Sequence, residues 1–163
     1  MATDPPPDLK LAPLEGDART VAEWLTTFHL VVVVLDPFTY ESSWLLDSAS
    51  RILRTYSGAD CRVGWIVTGT APQTRQFLGP LADELLTFAD PDRDFVKALG
   101  LDRLPALVHL DVSGRIGGVA EGWDPAEWRP VLTGLSKAMS WSRPQVPGPG
   151  DPAPYEGSPA LGT

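Results

Sequence analysis

The 163-residue chain holds one cysteine, Cys61, and two histidines, His29 and His109. A single thiol cannot close an internal disulfide or form a C-x-x-C pair. It agrees with a reducing compartment, so a cytoplasmic location is expected. Basic residues are scarce as well: 13 lysines and arginines stand against 21 aspartates and glutamates, a formal net charge of −8. No basic cluster interrupts that background, so the counterion release that drives nucleic-acid binding has no source. The acidic surface also argues against anionic membranes. Long apolar runs are missing: the longest, LVVVVL at 30–35, has six residues, against about 20 for a bilayer crossing. The opening MATDPPPDLK has neither the basic nor the apolar region of a secretory signal. Nucleic-acid binding and membrane insertion are not expected.

Motifs of several chemistries are also absent. No Walker A, G-x-G-x-x-G, H-E-x-x-H or G-x-S-x-G pattern occurs. His109 and Asp111 alternate on one strand with no further ligand gathered near them, which is poor material for a metal. Neither metal nor cofactor is expected. Cys61, in GADCRVGW, has only Arg62 as a basic neighbour. A free cysteine of that kind more commonly fills apolar space than reacts.

What is present is one domain's worth of alternating elements. Residues 1–10 read as a flexible leader and 11–141 as the folded domain. Residues 142–163, with six prolines and four glycines, read as a disordered tail. Val21, Trp24, Leu25 and Phe28 share a helical stripe, with Asp17 as its cap. LVVVVL is β-branched throughout, as expected of a strand buried on both faces. Trp44, Leu45, Ala49, Ile52, Leu53 and Tyr56 form a second stripe. CRVGWIVTG reads as a second buried strand, followed by a helix opened by Thr70 and Pro72 and broken at Gly79–Pro80. LLTFA is a short strand. DPDRDFVKALG is a compact helix with Asp90 as N-cap, Pro91 in its first position and Gly100 as its stop. PALVHLD and GRIGGVAE flank a hairpin turn. The last helix starts at Asp124, with Glu127 at capping-box spacing, and Pro130 should kink it. Strand, helix, strand, helix, hairpin, helix is the order of an α/β layer fold.

The segments LAPLEGDARTVAEW, LVVVVLDPFTYESSWLL, FADPDRDFVKALGL and LPALVHLDVSGRIGG together resemble the thioredoxin-like superfamily. The likeness is to its TlpA and peroxiredoxin-like (AhpC/TSA-type) branch and spans residues 11–139. The resemblance implies a three-layer α/β/α fold with a mixed central sheet. It also places Tyr40, Glu41, Ser42 and Ser43 over the family's C-x-x-C. That motif needs a thiol at a helix N-terminus, where the dipole favours the thiolate, and a second thiol to resolve the mixed disulfide. Tyrosine and serine cannot do this, and Val34 stands where thioredoxin keeps a buried carboxylate. A degenerate active-site turn with no catalytic residue is the expectation. Ser42 or Ser43 would cap the following helix, because a serine nucleophile needs a base that this stretch does not offer.

The resemblance further implies a cis peptide bond at Leu104–Pro105, in a loop facing that turn and able to pair with an extended peptide. Trp24, Trp44 and Trp128 read as core. Trp123 has two readings: with Phe38, Tyr40, Leu104 and Pro105 it forms a partner-binding surface, or it folds down onto the core. The function expected is a redox-inactive thioredoxin-like domain that binds or scaffolds an unidentified protein. The alternative is a divergent redoxin-type oxidoreductase using Cys61 or a non-thiol group. A self-associating subunit, a homodimer, is the third reading.

Overall fold

The computed structural model describes residues 2–162. Strand β1 (Lys10–Pro13) pairs antiparallel with β2 (Arg19–Thr20). Thr20 caps α1 (Val21–Trp24) through a complete capping box: its Oγ1 accepts from Glu23 N at 3.2 Å, and Glu23 accepts from Thr20 N at 2.9 Å. The helix expected from Asp17 to Phe28 is therefore a single turn. Residues 19–20 are drawn into the sheet, and Thr26 closes the turn by bonding back to the Ala22 and Glu23 carbonyls.

Next come β3 (His29–Leu35), the one-turn α2 (Tyr40–Ser43), α3 (Leu46–Arg54) and β4 (Cys61–Val67). Thr70 caps α4 (Ala71–Leu78) with a second capping box, and Gly79 at φ 57° separates it from α5 (Leu81–Glu84). β5 (Leu86–Ala89) and α6 (Asp94–Leu99) follow. After them β6 (Arg103–Leu104) leads into the hairpin of β7 (Ala106–Leu110) and β8 (Ile116–Glu121). The chain finishes with α7 (Pro125–Met139) and β9 (Ser158–Pro159).

The main sheet runs β2-β1-β5-β4-β3-β7-β8. β3 is parallel to β4 and β4 to β5, while β7, β8 and β1 join antiparallel. The sheet is mixed, as expected. Every residue of β3 after His29 is buried, and period 2 sorts them to opposite faces. Val31, Val33 and Leu35 pack with α3 and α7, among Leu53, Tyr56, Trp128 and Leu132. Leu30, Val32 and Val34 pack with α1 and α6, among Trp24, Phe88, Phe95 and Leu99. Helices on both faces of a mixed sheet make three layers.

Several expectations need correction. Arg93 adopts a left-handed conformation (φ 59°), so α6 starts at Asp94, four residues after Asp90. Asp90 still serves the helix end, accepting from Phe95 N at 3.1 Å. α7 runs through Pro130 to Met139, held by the buried Trp128, Val131, Leu132 and Leu135. Trp44 is not core: it is 57% exposed, because the single turn of α2 rotates it away from the α3 stripe. Within the leader, Thr3 N donates to Leu99 O at 2.9 Å, and Pro5 is buried. The tail, expected to be disordered, follows a defined course. Arg51 holds Asp151 at 2.7 Å, and β9 pairs with β6.

Candidate functional site

β3 delivers the chain to the site. Val34 is paired with Ala106 on β7, and Ala106 with Glu121 on β8. That register puts Asp36, Pro105 and Gly122 at one end of the sheet. Asp36 is buried at the end of the apolar run. Its Oδ1 accepts from Phe38 N at 2.8 Å, and its Oδ2 lies 3.1 Å from Arg93 Nη2. A buried carboxylate is stable there because the guanidinium and an N–H partner it.

Tyr40, Glu41, Ser42 and Ser43 form the one-turn α2. Neither serine caps the next helix, contrary to expectation. Ser42 is fully buried and its Oγ accepts from Asp36 N at 2.9 Å, while Ser43 Oγ donates to Tyr40 O at 2.7 Å. Both hydroxyls hold the turn's own backbone, which sits in the cap region before α3 without a side-chain cap. No histidine reaches them. His29 starts β3 while the turn follows its end, a strand length of about 20 Å away. His29 Nδ1 instead meets His109 Nε2 at 2.9 Å. His109 is buried, and that burial, with His29 beside it, pushes its pKa down to about 4.

Cys61 lies at that same far end, paired in register with His29. Burial, and then the neighbouring Asp60, push its thiol up to about 11. A reactive thiol needs the opposite shift. Cys61 is half-buried against the α3–α7 core, as its apolar reading implied.

The Leu104–Pro105 bond is cis, as expected. The five residues proposed as a partner-binding surface divide into two groups. Phe38 and Tyr40 are 62% and 79% exposed, and Trp44, expected in the core, is exposed as well. Leu104, Pro105 and Trp123 are buried. Trp123 meets Trp128 edge-on at 4.9 Å and donates from Nε1 to Pro152 O at 2.8 Å.

The tail runs along two of these three, Leu104 and Trp123. Trp123 and Tyr155 exchange backbone hydrogen bonds at 2.8 and 2.9 Å. Arg103–Leu104 pairs with Ser158–Pro159 just before the cis bond. Tyr155 OH donates to Glu41 O at 2.6 Å, its ring lies edge-on to Trp44, and burial raises its pKa. A cleft of about 320 Å³ remains between the tail and the turn, lined by Asp36, Phe38, Arg93, Pro159 and Leu161. Tyr155, Ser158, Asp36 and Arg93 went unrecognised in the sequence. Two signals were available: an aspartate ending an apolar strand needs a cation, and Tyr155 is the one tyrosine in a Pro/Gly tail.

No family model matches the chain, and no curated protein matches it. Solved structures do. A hypothetical protein from Sinorhizobium meliloti aligns with a TM-score of 0.71 at 16% identity, covering 100% of this chain and 95% of that one. A putative thiol:disulfide interchange protein DsbE from Chlorobium tepidum gives 0.68 at 14%, covering 85% and 97%. The bacterioferritin comigratory protein of Xanthomonas campestris, described for alkyl peroxide reduction, gives 0.67 at 12%, covering 84% and 98%. At such identities the shared property is the fold. Among the described residues no helix is long and apolar enough to cross a membrane. The chain has the thioredoxin-like α/β fold of thiol–disulfide interchange proteins and peroxiredoxins, with Tyr40-Glu41-Ser42-Ser43 in the turn after its central strand.

Proposed function

We propose that this protein is a thioredoxin-like domain without thiol redox chemistry that binds a protein partner at the end of its sheet. One observation carries the reading: Phe38, Tyr40 and Trp44 stand more than half exposed around a turn that has no thiol and whose serines are spent on their own backbone. Three large aromatic side chains within seven residues form an anchor set of the kind that dominates interfaces. The acidic surface directs such a contact toward neutral or basic partners. A cytoplasmic site of action fits the single free thiol.

The test is affinity capture from the native lysate with full-length protein and a Phe38→Ala/Tyr40→Ala double variant, both shown to fold by circular dichroism. A partner retained by the former should fall about tenfold or more with the latter, as for paired hot-spot losses of about 1–2 kcal/mol each. Insulin-disulfide reduction and peroxide consumption should both stay at the buffer rate. Equal capture by the two proteins, or turnover abolished by Cys61→Ser, overturns the reading.

A further inference from the structure

Beside the exposed aromatics, the chain has laid part of itself across the end of the sheet. We propose that residues 152–161 are a releasable internal ligand, occupying the groove where an extended segment of the partner docks. The partner segment then shares its chemistry: extended backbone, a tyrosine, a glycine two residues on, and a small hydroxyl residue next. This rests on the binding-module reading and says what that module recognises.

The contacts are those of a bound peptide. Arg103–Leu104 pairs antiparallel with Ser158–Pro159, and Trp123 exchanges hydrogen bonds with Tyr155. Main-chain pairing of this sort is available to any extended chain, whereas side-chain pockets give selectivity. Here Tyr155 supplies the selectivity, with its hydroxyl on the Glu41 carbonyl and its ring edge-on to Trp44. Ser158 Oγ reaches both the Leu104 carbonyl and Thr39 Oγ1 at 3.4 Å. Gly157 has φ 88°, and a Cβ there would overlap the Leu104 carbonyl. Gly122, φ 72°, faces the Glu156 carbonyl with equally little space. Glycine at both positions lets the two backbones touch.

Release follows from how little the segment itself buries. Within 152–161 only Ser158 and Ala160 are buried, while Tyr155 is half-covered and Pro154, Glu156, Pro159 and Leu161 are exposed. A two-residue strand, one bridge and a few side-chain bonds, from Tyr155, Trp123 and Arg93, make a small cooperative unit, which opens at lower cost than the core. Its removal frees the backbones of Arg103–Leu104 and Trp123 for pairing, beside the surface that begins at Phe38 and Tyr40. Tethering gives the segment a millimolar effective concentration, so a free partner peptide meets strong competition.

The experiment uses the full chain throughout. Hydrogen exchange is measured on native protein, and fluorescence anisotropy follows a fluorescein-labelled peptide with the sequence of residues 150–163. Wild type is compared with Tyr155→Ala and Gly157→Ala, two independent ways to weaken the strap. The amides of Tyr155 and Ala160 should exchange well before those of Val31–Val33. Both variants should bind the peptide about tenfold or more tighter than wild type, and a peptide with alanine at the Tyr155 position should lose that gain. Tail amides that exchange only with the core show a permanent strand and overturn the strap, leaving docking on Phe38 and Tyr40 standing. Tail amides that open while neither variant binds the peptide overturn the groove as a recognition site.

Discussion

Gly64 and Arg93 show how much one residue carries here. Gly64 lies where β4 meets β5, and a Cβ there would overlap the Leu86 carbonyl. Backbone on the adjacent strand cannot yield, so Gly64→Ala is expected to cost about 3 kcal/mol, read as a fall in urea midpoint. Arg93 neutralises the buried Asp36 and donates to Ala160 O at 2.5 Å. Arg93→Ala leaves that carboxylate unpaired in a buried site, so stability should drop by about 3–5 kcal/mol. An unchanged midpoint in either variant contradicts the packing described. Cys61, with its thiol raised to about 11, should alkylate with iodoacetamide far more slowly in native protein at pH 8 than in urea. Equal rates at that pH would mean an accessible, unshifted thiol.

Two short helices with superficially similar starts behave differently at the element scale. α4 is opened by Thr70, whose Oγ1 accepts from Gln73 N at 3.3 Å while its N–H donates to Gln73 Oε1 at 2.9 Å. Thr70→Ala should therefore cost about 1 kcal/mol. Ser43 looked like a cap in sequence, yet its hydroxyl only closes back on Tyr40 O. Ser43→Ala should stay within about 0.5 kcal/mol of wild type. Chemical denaturation of the pair separates a true cap from an apparent one. The strands were legible because burial on both faces demands an unbroken β-branched run. Helix starts were less so, since Thr20 and Asp90 choose their N–H partners only after the neighbouring strands are placed.

Over the whole molecule, two buried titratable groups oppose each other. Burial raises Asp90 from 3.8 to about 6, outweighing its hydrogen bonds from α6, with Asp94 adding to the rise. Its contribution to stability is present at acid pH and is lost as pH climbs from about 4 through 6. His109, packed against His29 and near Asp111, falls from 6.5 to about 4, so the unfolded chain binds the extra proton in that window. Stability from His109 therefore rises with pH over the same range. Each slope is at most about 1.4 kcal/mol per pH unit, so these two contributions largely cancel between about pH 4.5 and 5.5. Urea unfolding of His109→Gln should show stability falling with pH, and Asp90→Asn should show it rising. Slopes of the same sign in both variants would refute the assignment.

The central alternation of strands and helices and the absence of thiols from the turn follow from sequence alone, through β-branched runs, helical stripes and a lone Cys61. The mixed three-layer sheet and the cis bond at Leu104–Pro105 were implied by the resemblance, and β1, β2, β6 and β9 by neither. Which aromatics face solvent was decided only by tertiary packing, because it depends on what lies opposite them. Trp44 turned outward when α2 proved to be one turn long. Trp123 and Leu104 turned into the two cores, and their backbones pair with a tail whose composition favours disorder when read in isolation. A Pro/Gly segment has little apolar surface of its own to bury, so its order comes from the groove it occupies. That groove exists only once β3, β7 and β8 bring Asp36, Pro105 and Gly122 to one end of the sheet.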